Sequence, residues 1–263
     1  MDRDALVHRL RTAGCVFAED EAQLLLDHAD GKSLEELTAR RVAGEPLEHL
    51  LGWVAFDGLQ LAVDPGVFVP RRRTELMVTE AVRLARDLPE PVLVDLCCGC
   101  GAVGVAVAHR LGHGTLVAAD IDPAAVRCAA RNVARVGGRA VQGDLFAALP
   151  TELRGRVDVL TANVPYVPTD AVGLMPPEAR DHEPRAALDG GHDGLQVLAR
   201  VAVAAGEWLA PGGSLLVETA EEQVPAALRL LIGAGLSARV AADDEVGATV
   251  MVGTARGGRE LST

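Results

Sequence analysis

No stretch of this 263-residue chain reaches the ~18 uninterrupted apolar residues that a membrane-spanning helix requires. The start, Met1-Asp2-Arg3-Asp4, is charged and lacks the apolar centre of a secretory leader, so a soluble, cytoplasmic protein is expected. Positive charge is scarce as well. The net charge is −12 and the one compact basic run is Arg71-Arg72-Arg73, which argues against broad contact with a nucleic-acid backbone. That run is either a solvated loop face or a meeting point for an acidic or phosphate-bearing partner. There is no disulfide framework: the five cysteines are odd in number, and Cys97, Cys98 and Cys100 crowd one loop. Adjacent Cys97 and Cys98 lack zinc-ligand spacing and no histidine stands beside them, so no metal site is expected. Small side chains that let a ligand approach the backbone are the simpler reading. Internal repeats and low-complexity segments are also missing.

What is present is a 49% hydrophobic chain, enough for one large domain with a small appendage. Short amphipathic helices are expected over 4–13, 19–29, 33–43 and 47–51, with Ser33 and Glu36 forming a capping box. Such a bundle is marginal unless it packs on something else. Residues 53–63 alternate around Asp57-Gly58 and predict a hairpin. We therefore expect a helical unit over 1–52, a hairpin linker over 53–65 and a main domain over 66–263. In that domain strands at 91–96, 115–120, 140–143 and 157–162 alternate with helical segments, which predicts a parallel sheet covered on both faces. A Pro- and acid-rich loop over 167–193 precedes a helix at 195–209, a strand at 213–219 and a helix at 225–232. Strand-like runs at 237–242 and 248–254 are too close for a crossover, so they predict an antiparallel closure of the sheet.

The run Gly99-Cys100-Gly101-Ala102-Val103-Gly104 follows the first of these strands and opens an apolar helix, with Asp120 ending the next strand. That is formally a dinucleotide fingerprint, with glycines for the turn and an acid for a ribose. Asp95, however, stands just before the loop, where a pyrophosphate would lie against the helix N-terminus, and it would repel such an anion. S-adenosylmethionine carries an ammonium and a sulfonium, so an acid there attracts its methionine end while Asp120 takes the ribose hydroxyls. The methyl donor is preferred on that ground over a nicotinamide cofactor. Asp144, ending the 140–143 strand, is placed to meet the adenine amino group with Leu145 on the ring, although a plain turn explains Gly143-Asp144 equally well.

Asn163-Val164-Pro165-Tyr166 follows the 157–162 strand and combines an amide, a stiffened backbone and an aromatic face. A planar NH2, as in a carboxamide or an adenine, is a poor nucleophile until its hydrogens are held and its nitrogen aimed. Asn163 oxygen and the Val164 carbonyl can accept the two hydrogens, and Tyr166 can stack on the flat group. A strand broken by Pro165 and Pro168 would look the same.

Taken together, these residues resemble the protein glutamine methyltransferases that modify peptide chain release factors. The likeness runs through Glu45-Pro46-Leu47, Leu51-Gly52, Val67 to Arg71 with Thr74-Glu75, Asp95 to Gly104, Asp120, Asp144 and Asn163 to Tyr166. It continues in Glu183-Pro184, Ala187-Leu188 and Gly190 to Gly194. The resemblance implies an α/β class I S-adenosylmethionine-dependent methyltransferase fold. Its mainly parallel seven-stranded sheet would have an antiparallel last strand, behind a small N-terminal helical substrate-recognition domain. It implies cofactor contacts from Asp95, Cys97, Cys98, Gly99, Cys100, Gly101, Asp120, Asp144, Leu145 and Asn163. A catalytic set of Asn163, Val164, Pro165 and Tyr166 would bind the glutamine, with Arg71 and Glu75 also facing substrate. A protein partner, with release factors as the family's substrate, is implied in place of stable nucleic acid or membrane.

Three positions depart from the family pattern. Val164 stands where the family has proline, Arg72-Arg73 replace a proline and an acid, and three cysteines enter a loop usually built from glycine, threonine and serine. A divergent protein substrate stays open on that account. So do an adenine amino methyltransferase acting on a flipped base, a nicotinamide-dependent oxidoreductase, and a non-catalytic module that only senses the cofactor.

Overall fold

The computed structural model describes residues 1–29 and 33–257. The chain opens with four helices, α1 (Arg3–Thr12), α2 (Ala18–His28), α3 (Leu34–Val42) and α4 (Leu47–Leu51). They bury Leu6, Leu10, Leu25, Leu37 and Leu50 in a small core of their own. Asp2 caps α1 and Ser33 caps α3, accepting from Glu36 N–H at 3.4 Å. Among the described residues no return bond to the Glu36 carboxylate accompanies it, so half of the expected box is seen.

A hairpin of β1 (Trp53–Phe56) and β2 (Leu59–Ala62) follows. Its two-residue turn places Asp57 and Gly58 at φ 50° and 74°, the left-handed pair that matches strand twist. Then come α5 (Glu75–Ala85), β3 (Val92–Leu96), α6 (Ala102–Leu111), β4 (Thr115–Asp120), α7 (Pro123–Val133), β5 (Arg139–Gln142) and β6 (Val157–Ala162). The 167–193 loop holds two short helices, α8 (Pro177–His182) and α9 (Arg185–Leu188). It leads to α10 (Gln196–Trp208), β7 (Leu209–Glu218), α11 (Val224–Gly233), β8 (Ser237–Asp243) and β9 (Ala248–Thr254).

The main sheet has the order β5-β4-β3-β6-β7-β9-β8. Pairings from β5 to β7 are parallel, and β9 runs antiparallel to both β7 and β8. The last strand in the chain is therefore antiparallel, as expected, and it lies between β7 and β8 in the sheet. Consecutive side chains alternate between two cores, as the pleat requires. Leu93 and Leu116 pack with α5, α6 and α7, while Val94, Val117 and Leu160 pack with α10 and α11. All six residues of β6 are buried, as in a strand covered on both faces. Helix α5 was not foreseen, although Met77, Val78, Ala81 and Ala85 recur at helical spacing and are buried.

Candidate active site

Strands β3, β4 and β6 are neighbours, and their carboxyl ends carry Asp95, Asp120 and Asn163. At that edge of a parallel sheet the connections lead away to either face and leave a crevice. A cavity of about 370 Å³ opens there. It is lined by Asp95, Cys97, Cys98, Gly99, Cys100, Asp120, all four residues from Asn163 to Tyr166, and Arg71. The widely separated motifs thus meet in one place.

The loop after β3 is tightly wound. Cys97 holds φ 52° without being glycine, and Gly99 follows at φ 55°. Gly99 N–H donates to Asp120 Oδ2 at 2.8 Å, and Asp122 N–H donates to Asp120 Oδ1 at 2.9 Å, so Asp120 is oriented by backbone donors. Asp95 is only 1% exposed. One of its oxygens accepts from Thr161 Oγ1 at 2.8 Å and the other from Gly104 N–H at 3.0 Å. Burial pushes its carboxyl up to about 6, against the pull of those two hydrogen bonds, and Asp120 adds to the rise. Asp120 is raised too, again chiefly by burial. Gly104 is an obligatory small residue: a Cβ there would stand 2.9 Å from Leu116 Cδ1 and 3.0 Å from Asp95 Cβ. Burial also pushes the thiols of Cys97, Cys98 and Cys100 up, which keeps them uncharged. Among the described residues no group of three or more His, Cys, Asp or Glu side chains is arranged to hold a metal ion.

The charge of the cavity follows from its partners. Its two arginines are neutralised: Arg71 pairs with the buried Glu183 at 2.7 Å, and Arg73 with the buried Glu218 at 3.0 Å. Asp95, Asp120 and Asp122 have no ion-pair partner among the described residues. The α6 N-terminus, where a pyrophosphate would bind, already gives its Gly104 N–H to Asp95. The pocket consequently suits a cationic guest and is hostile to a diphosphate.

Asn163 is half-buried, and its side-chain amide makes no hydrogen bond among the described residues. Among the described residues no hydrogen bond reaches the Val164 carbonyl either, while the Val164 side chain is buried. Two free acceptors therefore stand side by side on the wall. Tyr166 is engaged at its hydroxyl, which accepts from Arg73 Nη2 at 2.7 Å and donates to Glu218 Oε1 at 2.9 Å. Burial and the neighbouring carboxylate push the phenol up to about 12.

Four sequence-predicted residues lie elsewhere. Gly101, at φ 81°, faces α7, with Val133 Cγ1 at 3.2 Å from where its Cβ would be. Asp144 is ion-paired at the surface with Arg200 at 2.6 Å, and neither it nor Leu145 lines the cavity. Glu75 turns to the hairpin and accepts from Asp57 N–H at 2.9 Å. Conversely, Ile121 and Met175 line the cavity and were not singled out, and Phe68 and Leu188, named only in the motifs of the family likeness, line it too. Ile121 was findable, as an apolar residue placed between two acids after a strand. Asn132 was missed as well. It is 1% exposed, and its amide joins Ala62 of the hairpin to the Cys100 carbonyl at 2.8 Å. A polar side chain on the apolar face of α7 was its signal.

Comparison with known proteins places these features in context. Residues 59–174 match the family described as methyltransferase small domain. A release factor glutamine methyltransferase of Geobacter sulfurreducens is 39% identical over 219 residues, covering 82% of this chain and 75% of that protein. One from Streptomyces coelicolor is 42% identical over 192 residues, covering 72% and 67% respectively. Among solved structures, a methyltransferase from Pyrococcus furiosus superimposes with a TM-score of 0.55 at 16% identity, over 76% of this chain and 90% of that one, a likeness of fold.

Proposed function

The chain belongs to the release factor glutamine methyltransferase family, and from that premise we propose that it transfers a methyl group from S-adenosylmethionine to the side-chain amide nitrogen of a glutamine in a protein substrate. A peptide chain release factor is the substrate we favour. The observation that carries the reading is the pair of unpartnered acceptors, Asn163 amide and Val164 carbonyl, on the wall of a cavity whose unpaired charges are all acidic.

The fit of the donor rests on that charge. An ammonium and a sulfonium are favoured beside Asp95, and a ribose beside Asp120, whose position Gly99 N–H sets. The bound donor supplies an electrophilic methyl carbon. The rest is the work of the chain. Asn163 Oδ1 and the Val164 carbonyl accept the two amide hydrogens, which turns the nitrogen toward the cavity floor. Pro165 and Tyr166 form the sides of the slot and keep water out. No strong base is needed, because the nitrogen becomes acidic as it gains the methyl that the donor's sulfur gives up, and one held proton then leaves by way of the carbonyl that holds it and reaches water once the slot opens. Orientation of this kind supplies on the order of 7 to 11 kcal/mol of a barrier.

In the same reading residues 1–52 form the substrate-recognition domain and 53–65 a hairpin linker to the catalytic domain of 66–263. A cytoplasmic setting agrees with five free cysteines. Among the described residues no helix is long and apolar enough to cross a membrane.

The test uses radiolabelled donor and a glutamine-bearing release-factor substrate, with the labelled atom mapped by mass spectrometry. Asn163→Ala is expected to lose methyl transfer while still binding donor. Normal turnover by that variant would remove Asn163 from the mechanism, and label on an adenine would replace the glutamine reading.

A further inference from the structure

Arg73 occupies a position where the resembled family carries an acid, and the structure gives this cation a defined place. Strand β7 pairs with β6 through Val217 and Ala162, so Glu218 stands beside the start of the Asn163–Tyr166 segment. The Glu218 side chain is 2% exposed and uses both oxygens. Oε2 accepts from Thr74 Oγ1 at 2.6 Å, and Oε1 accepts from Arg73 Nε at 3.0 Å and from Tyr166 at 2.9 Å. Arg73 Nη2 closes the ring by donating to the same phenol oxygen at 2.7 Å. The hydroxyl thus has a cationic donor on one side and an anionic acceptor on the other.

A phenol used as donor and acceptor at once is held at its oxygen, because withdrawing the ring toward or away from either partner breaks a bond on each side. The charged partners make these bonds stronger than neutral ones. Arg73 and Tyr166 also form the boundary with a second cleft, lined beyond them by Glu218, Thr219 and the β8–β9 turn. Without the clamp the ring would have room on that side to leave the amide slot.

We propose that Glu218, Arg73 and Thr74 clamp the Tyr166 ring as the fixed wall of the glutamine slot, which makes Glu218 and Arg73 positioning residues for methyl transfer. The proposal rests on the glutamine reading above. A carboxylate replaced by a cation in the 70–75 loop is then a local rewiring that retains a rigid aromatic wall.

The chain has a single tyrosine, so tyrosinate absorbance reports this clamp alone, with no need for activity. The wild-type phenol should titrate well above the ordinary value of about 10, and Glu218→Gln should lower it, with the rise that burial causes left in place. In turnover assays Tyr166→Phe and Arg73→Ala should each lower kcat by on the order of tenfold to a hundredfold, with donor affinity unchanged. The double variant should be no worse than the more impaired single one, since each breaks the same unit. Arg73→Lys, which keeps one bond, should recover part of the loss. Additive losses, or wild-type kcat in Tyr166→Phe, would overturn the clamp. So would a phenol titration that Glu218→Gln leaves unchanged. Failure of wild-type protein to methylate glutamine would instead count against the proposed function, while the titration would still decide the clamp.

Discussion

Asp95 offers the sharpest quantitative test. Its carboxyl lies at about 6 in the folded protein against 3.8 ordinarily, because burial opposes its charge more than Thr161 and Gly104 favour it. In a raised acid, the contribution to folding stability is fully present below the unfolded value and is lost as pH rises through the folded one. Ionising Asp95 therefore costs the free protein on the order of 3 kcal/mol by neutral pH. A cationic donor needs the ionised form. Its affinity should consequently fall roughly tenfold between about pH 7 and about pH 5, as the fraction of carboxylate drops. Binding near pH 6 should release a fraction of a proton, seen by calorimetry as a heat that depends on the buffer's ionisation enthalpy. Asp95→Asn should bind weakly at all pH values and flatten the profile. Adenosylhomocysteine, which keeps the ammonium and lacks the sulfonium, locates the contact: an unchanged pH profile places Asp95 at the ammonium, and a lost one at the sulfonium. A wild-type affinity flat from pH 7 to pH 5, with direct binding measured, would refute the idea that this acid receives a cation.

Other consequences are simpler to check. Gly104→Ala forces α6 away from β3, since its Cβ would meet Leu116 and Asp95 at 2.9 and 3.0 Å, and should lower stability by about 1 to 3 kcal/mol in denaturant titrations while weakening donor binding. Arg71→Ala leaves the fully buried Glu183 carboxylate without its guanidinium, so a loss of about 3 to 5 kcal/mol is expected, with Glu183→Gln in the same chain restoring part of it. If the double variant is no more stable than Arg71→Ala, the buried charge is not the cause. Asn163→Ala should separate donor binding from methyl transfer, as set out above.

Much of the candidate site was readable because its residues stand in contiguous motifs at strand ends. Asp95, Asp120 and Asn163 follow apolar runs in the chain, and parallel pairing of β3, β4 and β6 brings those ends together. Residues whose role depends on a distant partner were less readable. Glu218 is 145 positions from Arg73, and nothing local marks it as a support for Tyr166. Asp144 follows β5 by two residues where Asp120 closes β4, and Arg200 from α10 holds it at the surface. Glu75 carries a motif-like spacing but answers a local need, the Asp57 N–H of the hairpin turn. The third class is packing. Gly101 looked like a ligand glycine, and the approach of α7 is what requires it small. Strand boundaries held to within a few residues, whereas the position of β9 depends on which sheet edge is open, a property of the assembled sheet.

That position of β9 bears on how the molecule comes together. Among the described residues β7 and β8 are not hydrogen-bonded to each other, and within the sheet β9 joins them. A nascent chain that has emerged as far as β8 therefore holds two unfinished ladders, one along the flank of the catalytic half and one on a strand with nothing to grip. Either is a sticky template for another chain. Assembly is completed from its late end, as an arch is by its keystone, and clipping ahead of residue 248 should yield aggregates in place of a slightly weaker enzyme.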